Sequence, residues 1–300
     1  MTKKKRKSPV YKKILPIPEA KTKKISEIFG WLPLSVIEPT NESKAKWKDA
    51  YLPKLEIELR RSNDAKYLPG YGHSEFHAGL AENIIHYWSM QGSIIVDPFA
   101  GRVTRAHVAA SLKRPYYGYE ISQRTALRSR EHLEKRGLDA TIYLADGCEM
   151  KQTPDNFADL VFTCPPYHRL EKYESCDNQL SDFKSYSDFL DQIATCGENI
   201  NRVLKPGAFC VWVCADWKDG RYIPFQRDTM NIFEEAGLNI HDVIILKNNS
   251  PFAALQAGKC AAKRYTSKVH EYILVFRKNG EYENPPSEII REVKETNKFW

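Results

Sequence analysis

The chain has 300 residues, 42% of them hydrophobic, and 45 Lys and Arg against 38 Asp and Glu give it a formal net charge of +7. That length and apolar share suit one sizeable core with extensions rather than two equal domains. No run of 18 apolar residues occurs and the first dozen residues are too rich in lysine for a signal peptide, so a soluble cytoplasmic protein without a membrane partner is expected. Seven scattered cysteines, Cys148, Cys164, Cys176, Cys196, Cys210, Cys214 and Cys260, form no C-x2-C pair, so reduced thiols are expected, and neither a disulfide framework nor a metal site.

Residues 1–20 combine Lys3, Lys4, Lys5, Arg6, Lys7, Lys12 and Lys13 with Pro9, Pro16 and Pro18, the composition of a flexible basic tail whose charge favours a polyanion. Residues 21–70 carry Trp31 and Trp47 between lysines and acids and read as an extension of short helices. From Tyr71 the pattern becomes regular, and residues 71–280 read as the main domain, with 281–300 as a terminal tail. Strands are predicted at Ser93–Pro98, Tyr116–Ile121, Thr141–Ala145, Asp159–Thr163, Ala208–Cys214, Asn239–Leu246 and His270–Phe276. Helices are predicted at Ala78–Ser89, Val103–Leu112, Gln123–Arg136, Tyr186–Val203 and Phe225–Ala236. Alternating strands and helices argue for a doubly wound, mostly parallel α/β domain, which binds ligands outside the carboxyl ends of its strands. Cys210 and Cys214 lie four apart on one strand, so both face one side as small core fillers.

The first predicted strand, Ser93-Ile-Ile-Val-Asp-Pro-Phe-Ala-Gly101, ends in an acid and a turn of small residues. Gly101 permits close approach of a ligand, and Asp97 either accepts from a ligand amino group or orients the loop. The second ends in Glu120, placed to accept from both hydroxyls of a ribose or to cap the next helix. The third ends in Asp146, placed to accept from an adenine amino group. No G-x-G-x-x-G loop follows the first strand, so a pyrophosphate is not expected. A nucleoside with an uncharged linkage is implied, and S-adenosylmethionine has one.

The fourth strand runs into Thr163-Cys-Pro-Pro-Tyr167. Two prolines fix their φ angles and cannot donate, so Cys164, Pro165, Pro166 and Tyr167 make a stiff turn with free carbonyl acceptors. Such acceptors suit the amino group of a base, and Tyr167 offers a flat face for stacking it. An amino group inside a duplex is out of reach, so a duplex substrate would have its base flipped. His168 reads as a polar surface contact rather than a catalytic base, since the proton of a methylated amine can leave after transfer.

The loop Asp97-Pro-Phe-Ala-Gly101, the run Gly118-Tyr-Glu120 and the turn Thr163-Cys-Pro-Pro-Tyr167 together resemble the S-adenosylmethionine-dependent DNA N4-cytosine and N6-adenine methyltransferase family over about residues 71–278. The resemblance implies a Rossmann-like methyltransferase fold with an antiparallel strand near the carboxyl end. It implies that Asp97, Phe99, Ala100 and Gly101 hold the methionine part of the cofactor, that Glu120 holds its ribose, and that Cys164, Pro165, Pro166 and Tyr167 hold the target amine; Asp146 and Thr163, at neighbouring strand ends, are expected beside the cofactor. Gly72-His-Ser-Glu-Phe-His-Ala-Gly-Leu80 is similar to the motif that completes the methionine pocket, which adds Phe76, and Lys268–Phe276 resembles the family's closing hairpin strand.

Two departures stand out. Family loops usually read Phe-x-Gly-x-Gly, whereas Arg102 and Val103 follow Gly101 here, and Cys164 precedes the prolines where the family has Ser, Asp or Asn. Thr163 leans the match toward N4 of cytosine over N6 of adenine, with an RNA base methyltransferase and an inactive nucleic-acid-binding homologue as the other readings. A cytosine carbon-5 nucleophile is disfavoured because Cys164 precedes both prolines, and no His-Cys-Cys set suggests a deaminase. Lys172, Tyr173, Lys184 and Tyr186 lie in a stretch that either closes over the base or merely connects. Lys259, Lys263 and Arg264 precede the last strand and are expected to contact DNA phosphates. With no large inserted recognition domain, sequence specificity is expected from short loops, the first 70 residues or a second subunit, which leaves a homodimer open.

Overall fold

The computed structural model describes residues 34–39, 45–52, 75–170, 178–248, 258 and 260–280. These lie in one compact unit, Pro33–Ser287. The described elements, in chain order, are β1 (Val36–Ile37), α1 (Ala78–Trp88), β2 (Ile95–Asp97), α2 (Thr104–Ser111), β3 (Tyr116–Glu120), α3 (Gln123–Glu134), β4 (Ala140–Leu144) and β5 (Ala158–Thr163). There follow α4 (Tyr186–Val203), β6 (Leu204–Cys214), β7 (Trp217–Asp219), β8 (Arg221–Ile223), α5 (Phe225–Glu235), β9 (Leu238–Lys247) and β10 (His270–Lys278).

Eight strands form one sheet in the order β1-β9-β10-β6-β5-β2-β3-β4. β2 pairs in parallel with both β3 and β5, while β10 runs antiparallel to β6 and β9. Every residue of β5, Ala-Asp-Leu-Val-Phe-Thr, is buried. Burial without alternation belongs to a strand covered on both faces. α4 buries Phe189, Ile193, Cys196, Ile200 and Val203, a helical stripe packed on the sheet, and its start is capped by Ser185, whose hydroxyl accepts from the Asp188 N–H at 3.0 Å. Cys210 and Cys214 sit in the same core cluster, and burial pushes both thiols up.

The chain runs from β2 outward through β3 to β4, then returns to lay β5 and β6 on the other side of β2. The reversal between β2 and β5 opens a crevice at the carboxyl ends of these strands. All seven predicted strands and five predicted helices are present. β6 begins earlier than expected, at Leu204, because Pro206 and Gly207 fall beside a register shift between Ala158 and Leu160, where a strand tolerates a missing donor.

Two features were not anticipated. Residues 34–39, expected within a helical extension, instead give β1, whose Val36 and Ile37 add in parallel to the open edge of β9 opposite Ile245 and Leu246. A β-branched pair meeting an unpaired edge favours this over a helical turn. Lys48–Ala50 form a single 3-10 turn whose preceding Trp47 packs edge-on against His107. The second feature is the β7–β8 hairpin, which turns at Gly220 with φ of +67°. Among the described residues, no helix is long and apolar enough to cross a membrane.

Candidate active site

At the switch point the two central strand ends are joined through Asp97. Its Oδ1 accepts from the Thr163 hydroxyl at 2.6 Å and the Phe99 N–H at 3.0 Å, and its Oδ2 from the Tyr116 hydroxyl at 2.6 Å and Arg105 Nε at 2.7 Å. Burial would pull the Arg105 guanidinium down, but Asp97 beside it holds it charged, and its Nη2 also donates to the Phe99 carbonyl. Asp97 and Thr163 are both completely buried. Of the two roles expected for Asp97, the structure gives it the orienting one, because four donors already occupy its oxygens. Thr163 is likewise turned to Asp97, beneath the crevice.

Above this buried junction, the loop 98–101 is stitched to β3. The Ala100 N–H donates to the Tyr119 carbonyl at 2.8 Å, and Gly101 turns with φ of +53°. Glu120 accepts from the Ser122 N–H at 2.7 Å. Burial pushes the Glu120 carboxyl up to about 7, against the opposing pull of the Ser122, Gly101 and Ile121 N–H groups. Gly147 passes so close to the loop that a Cβ there would lie 1.7 Å from the Pro98 carbonyl oxygen. Asp146, just before it, accepts from the Cys148 N–H at 2.8 Å and from Asn178 Nδ2 at 3.3 Å.

These groups border a cavity of about 420 Å³. Phe76, Phe99, Ala100, Gly101, Glu120 and Asp146 line it together with Cys164, Pro165, Pro166 and Tyr167. Ten of the twelve residues expected at the cofactor and amine sites are thus brought to one cavity; Asp97 and Thr163 form its support. Phe76 packs edge-on against Phe162, with the Arg105 guanidinium over its ring at 5.0 Å. Tyr167 is held edge-on by Trp217 of the hairpin and by Phe225, with ring centroids 5.6 and 6.5 Å away.

His168 corrects the surface contact expected for it. It is 5% exposed, its Nε2 lies 2.9 Å from the Phe183 carbonyl, and its ring packs against Tyr186 and Phe189. Two aromatic rings and a backbone carbonyl make it part of the buried packing. Lys263 and Arg264 are exposed, while Lys259, Lys172, Tyr173 and Cys176 lie outside the described residues. Sequence reasoning did not single out Trp217, Asn178 or Glu75 as site residues. Glu75 stood inside the quoted motif before α1; Trp217 and Asn178 had no local signal.

A family model described as DNA methylase, of the N6/N4 type, matches residues 1–129 and 158–300. The chain belongs to the N6/N4-type DNA methylase family. The interval this methylase model leaves unmatched, 130–157, holds β4 and Asp146. The chain is similar to the type II methyltransferase M.MthZI of Methanothermobacter thermautotrophicus, 24% identical over 178 residues that cover 53% of this chain and 50% of that protein. It is also similar to the type II methyltransferase M.BglII of Bacillus subtilis, 30% identical over 156 residues covering 51% of this chain and 38% of that one. The matched part therefore spans half or less of these curated relatives. Among solved structures, the [4+2]-cyclase SpnF aligns with a TM-score of 0.52 at 17% identity over 82% of this chain and 99% of that one, which shows a shared fold.

S-adenosylmethionine is the methyl donor of the methylase family. The cavity suits a ligand of that chemistry. Its volume lies in the range of small-molecule sites, and it sets acidic acceptors, Glu120 and Asp146, beside the aromatic faces of Phe76 and Phe99. Gly147 leaves open the space that lets the loop press in from Pro98.

Proposed function

We propose that this methylase transfers a methyl group from S-adenosylmethionine to the exocyclic amino group of a flipped base in DNA, with N4 of cytosine favoured. One observation carries the reading: the diproline corner and the acids Glu120 and Asp146 border the same cavity from opposite sides of the switch point. When bound, the cofactor supplies an electrophilic methyl on a positively charged sulfur. In this reading Glu120 accepts from the ribose hydroxyls, Asp146 from the adenine amino group, and Phe76, Phe99, Ala100 and Gly101 enclose the methionine part.

Cys164, Pro165, Pro166 and Tyr167 would act on the amine. A thiol accepts hydrogen bonds weakly, so the backbone carbonyls of Cys164 and Pro165 take its N–H bonds and keep the nitrogen lone pair turned toward the methyl. Methyl transfer to that nitrogen would leave it with a surplus proton, which the carbonyls of Cys164 and Pro165 would hold until it passes to water. No strong base is required, which fits a His168 tied to the Phe183 carbonyl. Tyr167, braced by Trp217 and Phe225, stacks the extruded base, worth about 1–3 kcal/mol in single-strand systems. The preference for cytosine rests on the Thr-x-Pro-Pro-Tyr pattern alone, since Thr163 is committed to Asp97.

The test is transfer of radiolabelled methyl to DNA by the purified chain, followed by nucleoside mass spectrometry to separate N4-methylcytosine from N6-methyladenine. Pro165→Ala and Tyr167→Ala are expected to abolish transfer while the unfolding midpoint stays near that of the parent. Full activity in both variants would remove the assignment of the corner, and label passing only to RNA would move the substrate class.

A further inference from the structure

We propose that Arg102 and Glu75 form a clamp for the zwitterionic α-amino-acid end of the methyl donor, Arg102 taking the carboxylate and Glu75 the ammonium. The inference rests on the cofactor reading of the cavity and assigns a role to Arg102, which stands at the variable position of the loop after β2. The two side chains come from separate parts of the chain, the loop after β2 and the segment entering α1, and meet at the cavity wall with Arg102 Nη1 2.6 Å from Glu75 Oε1. Each is only 16% exposed.

Charge bookkeeping around the cavity singles out this pair. Among the described residues, four acids line it, Glu75, Glu120, Asp146 and Glu271, against two arginines, Arg102 and Arg105. Arg105 is locked on Asp97 and the Phe99 carbonyl. A ligand carboxylate entering an otherwise acidic cavity therefore finds its permanent counter-charge at Arg102. The existing bond engages one nitrogen of Arg102 and one oxygen of Glu75, and among the described residues no other hydrogen bond occupies Nε, Nη2 or Oε2. A guanidinium is a planar fork that can serve two carboxylates at once, which a lysine could not do in a fixed geometry. Adding a zwitterion completes an alternating set of four charges: ligand carboxylate, Arg102, Glu75, ligand ammonium. A ligand end bearing one charge would leave a member of the pair unmatched in a half-buried setting, so the clamp selects donors with an intact amino acid.

The pair also arrives preassembled. Holding Arg102 in place before binding removes part of the ordering cost of a long side chain.

The test is calorimetric titration of the full chain with S-adenosylhomocysteine and with 5′-deoxy-5′-methylthioadenosine, which lacks the amino acid. Arg102→Ala is expected to weaken S-adenosylhomocysteine roughly 10- to 100-fold, the scale of a charge-assisted bond, and methylthioadenosine less than about twofold. Glu75→Gln is expected to give a smaller loss with the same selectivity. Equal losses for both ligands, or no loss for either, would overturn the clamp while leaving the cofactor cavity standing. Failure of the parent chain to bind either nucleoside would overturn the cofactor reading and the clamp with it. Should Arg102→Ala unfold, decarboxylated S-adenosylhomocysteine tests the parent chain directly: binding at least about tenfold weaker supports the clamp, and equal binding overturns it.

Discussion

Asp97 shows how much of a candidate site can depend on one buried residue. Its two oxygens gather the Thr163 hydroxyl from β5, the Tyr116 hydroxyl from β3, Arg105 from α2 and the Phe99 N–H of the loop. Asp97→Ala would strand a buried guanidinium, and breaking such a pair by removing one partner costs about 3–5 kcal/mol. That loss is expected in the denaturant unfolding free energy, whereas an unchanged value would show that Arg105 finds another acceptor. Glu120 behaves differently, because its carboxyl is pushed up to about 7 by burial. Folded-state pKa above the ordinary value of 4.5 means that this group's contribution to stability is lost as pH rises from 4.5 to about 7. Ribose hydroxyls prefer the ionised form, so cofactor affinity is expected to run the other way, rising about tenfold between about pH 6 and pH 8. Glu120→Gln should flatten that profile in equilibrium binding.

At the scale of elements, the cofactor loop is shaped by what it is pressed against. Pro98 sits on Gly147, where the absence of a Cβ leaves room for its carbonyl, and Ala100 sits on Gly118, where an added Cβ would come within 2.7 Å. Gly147→Ala is therefore expected to displace the loop, costing about 1–3 kcal/mol in stability. The same variant should weaken cofactor binding at least tenfold, which is about 1.4 kcal/mol. Gly137→Ala, with open space around its Cβ and φ of +60°, serves as the comparison: a local backbone cost of about 1 kcal/mol and unchanged binding. The β7–β8 hairpin and the start of α5 contribute in a similar indirect way, since Trp217 and Phe225 leave Tyr167 little freedom to turn from the cavity. A braced ring loses less entropy on stacking a base than a mobile one.

For the molecule as a whole, DNA binding is expected to rest on backbone charge. Lys263 and Arg264 are exposed ahead of β10, in the stretch expected to contact phosphates. Replacing both by alanine should make the dependence of log affinity on log salt shallower, by about 0.9 for each phosphate contact removed, in fluorescence anisotropy with a duplex. S-adenosylhomocysteine affinity should stay as in the parent; an unchanged salt slope would place the DNA elsewhere.

Much of this was legible in the sequence because it is local. β5 reads as a buried strand from the five residues Asp159–Thr163, α4 as an amphipathic helix from its repeat, and the diproline corner from the rigidity of proline itself. Those properties travel with the residues and determine the strands, the helices and the motifs at their ends. Tertiary structure decided what depends on partners distant in the chain. Asp97 is engaged by Thr163 from 66 positions away, and Arg102 acquired a partner only when Glu75 folded back across 27. His168 was drawn inward by Phe189 and the Phe183 carbonyl, and Val36 and Ile37 became a strand because β9 offered an unpaired edge. A residue's chemistry is its own, but whether its lone pairs and charges remain open to a ligand depends on every neighbour that folding brings to it.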